Sequence, residues 1–211
     1  MNVVIVLIIV LISVILHELA HGLVAYWLGD RTAKDMGRLS LNPIKHIDPF
    51  MSILVPVMLY LLNAPVFGGA KPVPINPNNL KGKEWGMALV AIAGPLTNFL
   101  LALIVFLIGY FTGLLDMAPA GSLPHFICYR FIIINLGFAV FNAIPIPPLD
   151  GSRVLYAIAP DAFRNVLASM ERYGVIIVYM LILLFGQVFS NLMVGGISGI
   201  LRFFYMLVGV K

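Results

Sequence analysis

Two histidines and a glutamate near the N-terminus have the spacing of a hydrolytic zinc site. The stretch reads His17-Glu18-Leu19-Ala20-His21. On a helix, positions 17 and 21 lie one turn apart on the same face, so their two imidazoles can bind one metal ion. A glutamate directly after the first histidine can act as the general base on the attacking water. The pattern therefore predicts a one-zinc centre with ligands His17 and His21 and base Glu18.

The surroundings of this motif are apolar. Residues 3–16, which precede it, carry no charged side chain and a single polar one, Ser13. Ionisable side chains at membrane depth are costly and usually functional. A hydrolytic metal site at that depth indicates proteolysis within the bilayer. The alternative for the same three residues is a polar network in a helix bundle without metal.

The composition is that of an integral membrane protein. The chain has 211 residues, of which 61% are hydrophobic and 10% charged, and its mean hydropathy is +1.03. A soluble domain carries roughly 25% charged residues. We therefore expect one domain, residues 1–211, embedded in a lipid bilayer. The net charge of +4 comes without a Lys/Arg cluster, which argues against nucleic acid as a partner, and a single cysteine, Cys128, excludes an internal disulfide and a cysteine-based zinc site.

The apolar runs predict an all-α polytopic protein with four to six membrane segments. A helix needs about 20 residues to cross about 30 Å of hydrocarbon. Four runs are long enough: 2–28, 86–113, 124–149 and 173–193. The run at 50–67 is short and interrupted by proline, so we expect a re-entrant or short helix there. The stretch at 197–210 fits either a short return span or an interfacial helix.

The polar connections predict small elements at one membrane face. Alternating residues at 37–41 indicate a short strand or hairpin, and the proline-rich segment 70–77 favours extended chain. Residues 152–172 are expected to form a polar loop or a surface helix.

A catalytic zinc usually has three protein ligands, and Asp150 is the strongest candidate for the third. It ends a long apolar run directly after a stretch with three prolines. Unwound backbone at membrane depth occurs where it is buried in protein or lines a wet cavity. His46 and His125 are the other histidines. An Asp-Gly turn that ends the helix is the alternative explanation for Asp150.

His17 and Asp150 can lie at the same depth in the membrane only if the first and third full spans run in the same direction. Both ends of the 29–85 connection then lie on one side, together with most basic residues. By the positive-inside rule, that side is the cytoplasm. We therefore expect the site to open towards the cytoplasm, with the N-terminus outside.

Three stretches together resemble the site-2 proteases, intramembrane zinc metalloproteases of the M50 peptidase class. They are HELAH at 17–21, GPLTN at 94–98 and NAIPIPPLDG at 142–151; weaker matches are LNPIKHIDP at 41–49 and AKPVPINP at 70–77. All lie within about residues 1–160, the expected catalytic core. The resemblance is to a minimal member without the PDZ or CBS domain that relatives often carry.

The resemblance implies specific roles and partners. One Zn²⁺ per chain would be bound by His17, His21 and Asp150, with Glu18 as the catalytic base. Substrate contacts would come from Asn142, Pro145 and Pro147. Residues expected near the site are Asn98 and His46, although Asn98 could instead serve only an interhelical hydrogen bond. The implied substrate is a single-span membrane protein, cut in or near its transmembrane segment during regulated intramembrane proteolysis, and the expected location is a bacterial cell membrane.

Two other functions fit parts of the pattern. A membrane metal-binding or transport protein would also need ionisable residues in its spans, and a non-catalytic scaffold could bind membrane helices without cutting them. The ionisable residues at one depth and the presence of Glu18 beside the ligands favour a zinc metalloendopeptidase.

Overall fold

The computed structural model describes residues 2–48, 71–115, 119 and 122–210. Eight α-helices lie in this part of the chain. In order they are α1 (Asn2–Trp27), α2 (Thr32–Asp35), α3 (Lys83–Phe111), α4 (Leu123–Asn142), α5 (Asp150–Ile158), α6 (Asp161–Glu171), α7 (Gly174–Leu184) and α8 (Gly186–Leu207). Two short 3-10 turns, Pro43–His46 and Pro77–Asn79, lie in the polar connection between α1 and α3.

Four of these helices, α1, α3, α4 and α8, are long and apolar enough to cross a membrane. Within hydrocarbon a helix satisfies every backbone group internally, which is why apolar runs of this length fold as helices. A fifth segment results if α6 and α7, which meet at 86°, count as one bent span. The prediction of an all-α polytopic membrane protein with four to six membrane segments is confirmed.

Helix α3 lies at the centre of the bundle and packs against α1, α4 and α5. The end of α1 and the start of α3 are joined by a hydrogen bond from Lys81 N to Leu28 O (2.8 Å), so these helices are antiparallel. Helices α3 and α4 are also antiparallel, because Gly109 lies against Cys128 while Asn98 bonds to Asn135. Consequently α1 and α4 run in the same direction, as the depth argument requires.

The largest buried cluster holds the far half of α3 to α4 and α8. Its members are Ala102, Phe106, Cys128, Ile132, Leu136 and Phe204. Only the C-terminal half of α8 takes part. The beginning of this helix is mostly exposed on the protein surface, where it can contact lipid.

Two of the predicted spans differ in their limits from the helices of the structure. The third does not continue to residue 149: α4 ends at Asn142, since the prolines at 145, 147 and 148 cannot donate backbone hydrogen bonds. The fourth, predicted at 173–193, is wrong as a single span. The chain breaks at Phe185 between α7 and α8, and the stretch 197–210 is largely the second half of α8 rather than a separate element.

Predictions for the polar connections had mixed outcomes. Residues 37–41 form no strand, and no strand occurs elsewhere in the described ranges. Residues 71–76 have no regular secondary structure, as the prolines predict. The polar stretch 152–172 is helical and comprises most of α5 together with α6. The run at 50–67 lies outside the described residues.

Candidate metal centre and active site

Three side chains from two distant parts of the sequence converge inside the bundle. His17 and His21 lie one turn apart on α1, and Asp150 begins α5. The Nε2 atoms of the two histidines are 3.0 Å apart, and Asp150 Oδ2 lies 3.2 Å from His17 Nε2 and 3.4 Å from His21 Nε2. The three residues therefore present two nitrogen atoms and one oxygen atom to a common point.

The other nitrogen of each ring fixes which atom faces that point. His21 Nδ1 lies 2.7 Å from Val90 O, a carbonyl that can only accept. His17 Nδ1 lies 2.6 Å from Asn98 Oδ1. Both Nδ1 atoms therefore carry the hydrogen. In the neutral rings each Nε2 atom then has a free lone pair and no hydrogen. Asp150 Oδ2 is buried and has no hydrogen-bond partner. Three acceptors that converge without a donor between them form a group that can hold a metal ion.

The spacing of the donors fits zinc. A tetrahedral zinc ion about 2.0–2.2 Å from each ligand separates the ligand atoms by about 3.3 Å. The observed separations of 3.0, 3.2 and 3.4 Å match this value. Two imidazoles and one carboxylate are also a common ligand set of catalytic zinc, with the fourth position left for water or substrate.

Gly94 keeps the space beside the imidazoles open. A Cβ atom at this position would lie 2.5 Å from His21 Nε2 and 2.6 Å from His17 Nε2. Any larger residue would fill the place towards which both histidines point. This explains why the middle of α3, directly before Pro95, carries a residue without a side chain.

The loop after α4 aims Asp150 at the histidines. Gly151 packs so closely on the preceding loop that a Cβ atom there would lie 2.3 Å from Ala143 O. Leu149 is buried beside it. Close backbone packing thus ties the start of α5 to the end of α4, and Asp150 occupies the first helical position.

Glu18 is held from a different direction. Its Oε2 accepts a hydrogen bond from Val73 N (2.8 Å), in the polar segment before α3. We call residues 71–76 the strap. The guanidinium of Arg38 donates to Lys71 O (2.9 Å) and Pro72 O (3.3 Å), which secures the strap directly before Val73.

Asp30 secures the other end of the strap. This fully buried carboxylate accepts from Asn76 N (2.7 Å), Asn79 Nδ2 (3.1 Å) and Thr32 N (3.1 Å). Burial of Asp30 disfavours its ionised form, but the hydrogen bonds from Thr32, Asn76 and Asn79 outweigh that effect and hold the pKa of the carboxyl below its usual value. An ionised Asp30 therefore ties the strap to the end of α1.

The remaining predicted residues lie in different places. Asn98 bonds to His17 and is fully buried. Asn142 and Pro145 line a cleft beside Asp150. Pro147 is buried and does not line that cleft; it packs near Gly174. His46 is buried in its 3-10 turn, with Nε2 bonded to Ser40 O (2.7 Å), and the group of potential metal ligands does not include it.

The cleft has a volume of about 790 Å³ and is mostly apolar. Its walls come from the middle of α3, the end of α4, one face of α5 and α8. Representative lining residues are Ile92, Leu96, Val140, Leu155 and Leu192, and Asp150 lies at its edge. An apolar chain segment in this cleft would lie next to the converging ligands.

The sequence motifs do not include several residues that hold the candidate site together. Asn135 and Ser13 form a buried network with Asn98, and Arg38 and Asp30 hold the strap. Ser13 and Asn135 did carry a signal, since each is a polar residue within an apolar run. Nothing comparable distinguishes Arg38 among the other basic residues of its connection.

Comparison with known proteins supplies the family. The sequence model of peptidase family M50 matches residues 5–120 and 113–186. The chain is 40% identical over 176 residues to "Putative zinc metalloprotease YwhC" of Bacillus subtilis, a match that covers 81% of this chain and 76% of that protein.

More distant relatives agree. The chain is 31% identical over 174 residues to "Putative zinc metalloprotease Rip2" of Mycolicibacterium smegmatis, covering 82% of this chain and 64% of that protein. It is 28% identical over 151 residues to "Zinc metalloprotease MJ0392" of Methanocaldococcus jannaschii, covering 72% of this chain and 33% of that protein. No solved structure gave a significant match. By the family match and the first of these relatives, the chain belongs to peptidase family M50 and is a zinc metalloprotease of the site-2 type.

Proposed function

We propose that this protein hydrolyses peptide bonds in or near the transmembrane segments of single-span membrane proteins, as in regulated intramembrane proteolysis. The observation that carries the proposal is the position of His17 and His21 within the apolar helix α1, where Asp150 meets them. His21 and His17 precede Trp27 by six and ten residues, which corresponds to about 9 and 15 Å along the helix. A substrate bond at this depth lies within the hydrocarbon layer.

Each residue of the centre has a defined role. His17, His21 and Asp150 would hold one zinc ion, which would supply Lewis-acid activation of the scissile carbonyl and of water near neutral pH. Glu18 removes the proton from the attacking water and delivers it to the leaving amine. Val73 N–H bonds to Oε2 of Glu18, which leaves Oε1 without this hydrogen bond and favours it as the atom that carries the proton.

The cleft beside Asp150 is the proposed substrate site. Its apolar lining suits the side chains of a membrane segment, and Pro145 is exposed at its edge. A helical substrate must unwind before its carbonyl can be attacked, and the freed backbone groups then need partners. Asn142 donates one amide hydrogen to Phe138 O (3.1 Å); its carbonyl oxygen and second hydrogen are suited to an extended substrate backbone.

The proposed orientation places the centre towards the cytoplasm of a bacterial cell, with the N-terminus outside. The direction of α1, α3 and α4 supports this, because it gathers most basic residues at one end of the bundle. These residues are Arg31, Lys34, Arg38, Lys45, Lys71, Lys81, Lys83, Arg153, Arg164 and Arg172. Exposed Trp27 and Trp85 lie at the same end, as expected of residues at a membrane interface.

A cleavage assay in zinc-loaded proteoliposomes tests the proposal. The substrate is a single apolar span with short polar flanks, and the new termini are mapped by mass spectrometry. We expect cuts inside or next to the span by the wild-type protein, no cuts by Glu18→Gln, and unchanged cutting by the matched variant Glu84→Gln. Cutting confined to water-soluble peptides, or zinc transport into the vesicles without cutting, would overturn the proposal.

A further inference from the structure

A chain of buried side-chain amides lies behind His17. Asn98 on α3, Asn135 on α4 and Ser13 on α1 are each fully buried. Asn98 Nδ2 donates to Asn135 Oδ1 (2.9 Å), and Asn135 Nδ2 donates to Ser13 Oγ (2.9 Å). We call these three residues the amide relay. It joins all three central membrane helices through hydrogen bonds, in a region where unpaired polar groups are costly.

The relay has a fixed direction because backbone carbonyls anchor it. Asn135 Nδ2 also donates to Phe131 O (2.9 Å), which can only accept. Asn135 must therefore present its oxygen, not its nitrogen, to Asn98. Asn98 in turn presents Nδ2 to Asn135 Oδ1 (2.9 Å) and, more weakly, to Ser13 O (3.4 Å), and Oδ1 to His17. Turning either amide over would set two donors or two acceptors against each other.

We infer that Asn135 is a positioning residue for zinc binding, acting through Asn98 to set the tautomer of His17. With Oδ1 of Asn98 facing it, His17 must carry its hydrogen on Nδ1, which leaves Nε2 free as a metal ligand. His21 needs no such relay, because its Nδ1 bonds directly to Val90 O. The inference rests on the proposed zinc ligation by His17 and explains why an amide deep in α4 belongs to the site.

A cycle of single and double variants separates action through Asn98 from a general packing role. Zinc affinity is measured by competition with a chelator, starting from metal-free protein in lipid nanodiscs. Loss of a hydrogen-bond partner of a metal-bound histidine typically costs about 10–100-fold in affinity. We expect a loss in that range for Asn98→Leu and of about tenfold for Asn135→Leu. The double variant should bind no more weakly than Asn98→Leu alone.

The tautomer itself provides a second measurement. The protein has four histidines, so ¹⁵N-labelled ring nitrogens can be assigned by single His→Gln variants. In the metal-free wild type we expect His17 with its hydrogen on Nδ1 and in Asn135→Leu a mixture of both tautomers. Ser13→Ala removes one acceptor of Asn135 and should have the same effect to a smaller degree, which keeps the test open if Asn135→Leu folds poorly.

The matched control is Asn191→Leu, which removes an exposed amide from α8 and should leave affinity and tautomer unchanged. Additive losses in the double variant, or unchanged His17 signals in both Asn135→Leu and Ser13→Ala, would overturn the inference. Failure of zinc ligation itself would show differently, because Asp150→Ala would then bind zinc as tightly as the wild type.

Discussion

The two sides of the HELAH motif are held by different parts of the molecule. His17 and His21 donate hydrogen bonds from Nδ1 to buried oxygens of the membrane helices, Asn98 Oδ1 and Val90 O. Glu18 is the next residue after His17, yet its partner is the amide of Val73 in the strap, outside the helices. Successive helical residues point about 100° apart, so one turn of α1 faces the helix bundle and the polar connection at once.

On the proposed roles, this difference would separate metal binding from proton transfer. The ligands depend on close packing between α1, α3 and the start of α5, where a misplaced methyl group has no room. The base depends on a segment without regular structure that is tied down by Asp30 and Arg38. Damage to the bundle side should therefore remove the metal, whereas damage to the strap side should leave the metal in place and change how Glu18 is held.

The largest expected effect comes from the bundle side. Gly94→Ala would insert a methyl group 2.5–2.6 Å from the metal-facing nitrogens of both histidines. We expect loss of tight zinc binding and of cleavage, with helix content unchanged, because alanine is at least as good a helix former as glycine. Metal content of the purified protein and circular dichroism measure the two quantities.

Gly137→Ala on α4 is the matched control for that variant. A Cβ atom there has no neighbour within 4 Å, so zinc content and cleavage should equal those of the wild type. If Gly94→Ala retained one tightly bound zinc ion, the geometry described here for the metal-facing nitrogens of His17 and His21 would be wrong.

A smaller effect is expected on the strap side from Asp30→Asn. The amide cannot accept all the bonds that the carboxylate accepts, so the strap should open more often while zinc stays bound. We expect about tenfold faster hydrogen exchange over residues 71–80 at pH 7, comparable to the loss of one buried hydrogen bond. Mass spectrometry of the exchanged peptides provides the measurement.

The pH dependence of this effect follows from the lowered pKa of Asp30. A carboxyl with a lower pKa in the folded protein contributes stability above its unfolded pKa of about 3.9 and loses it as pH falls through the folded value. After correction for the intrinsic exchange rate, wild type and Asp30→Asn should differ at pH 7 and converge in acid. Asp35→Asn, at an exposed carboxylate, should match the wild type throughout; a difference that persists in acid would contradict the role of ionised Asp30.

The contrast between the helix bundle and the strap is also a contrast between what could and could not be predicted from the sequence. Residue types and spacing predicted the candidate ligands and base, because HELAH lies within an apolar run and Asp150 ends another. The direction of α1 and α4 followed from the requirement that His17 and Asp150 meet. The strap could not be foreseen, since the partners of Val73 and Asp30 depend on how an irregular segment folds back on α1. The break at Phe185 carries only Gly186 as a local signal, too weak to divide an otherwise apolar run.

Zinc content and cleavage, measured on the same preparations of wild type, Glu18→Gln and Asp150→Ala, test the central claim most directly. The account predicts about one zinc ion per chain in the wild type and in Glu18→Gln, with cleavage by the wild type alone. It predicts that Asp150→Ala loses both tight zinc binding and cleavage. Full zinc occupancy in Asp150→Ala, or retained cleavage in Glu18→Gln, would contradict the account.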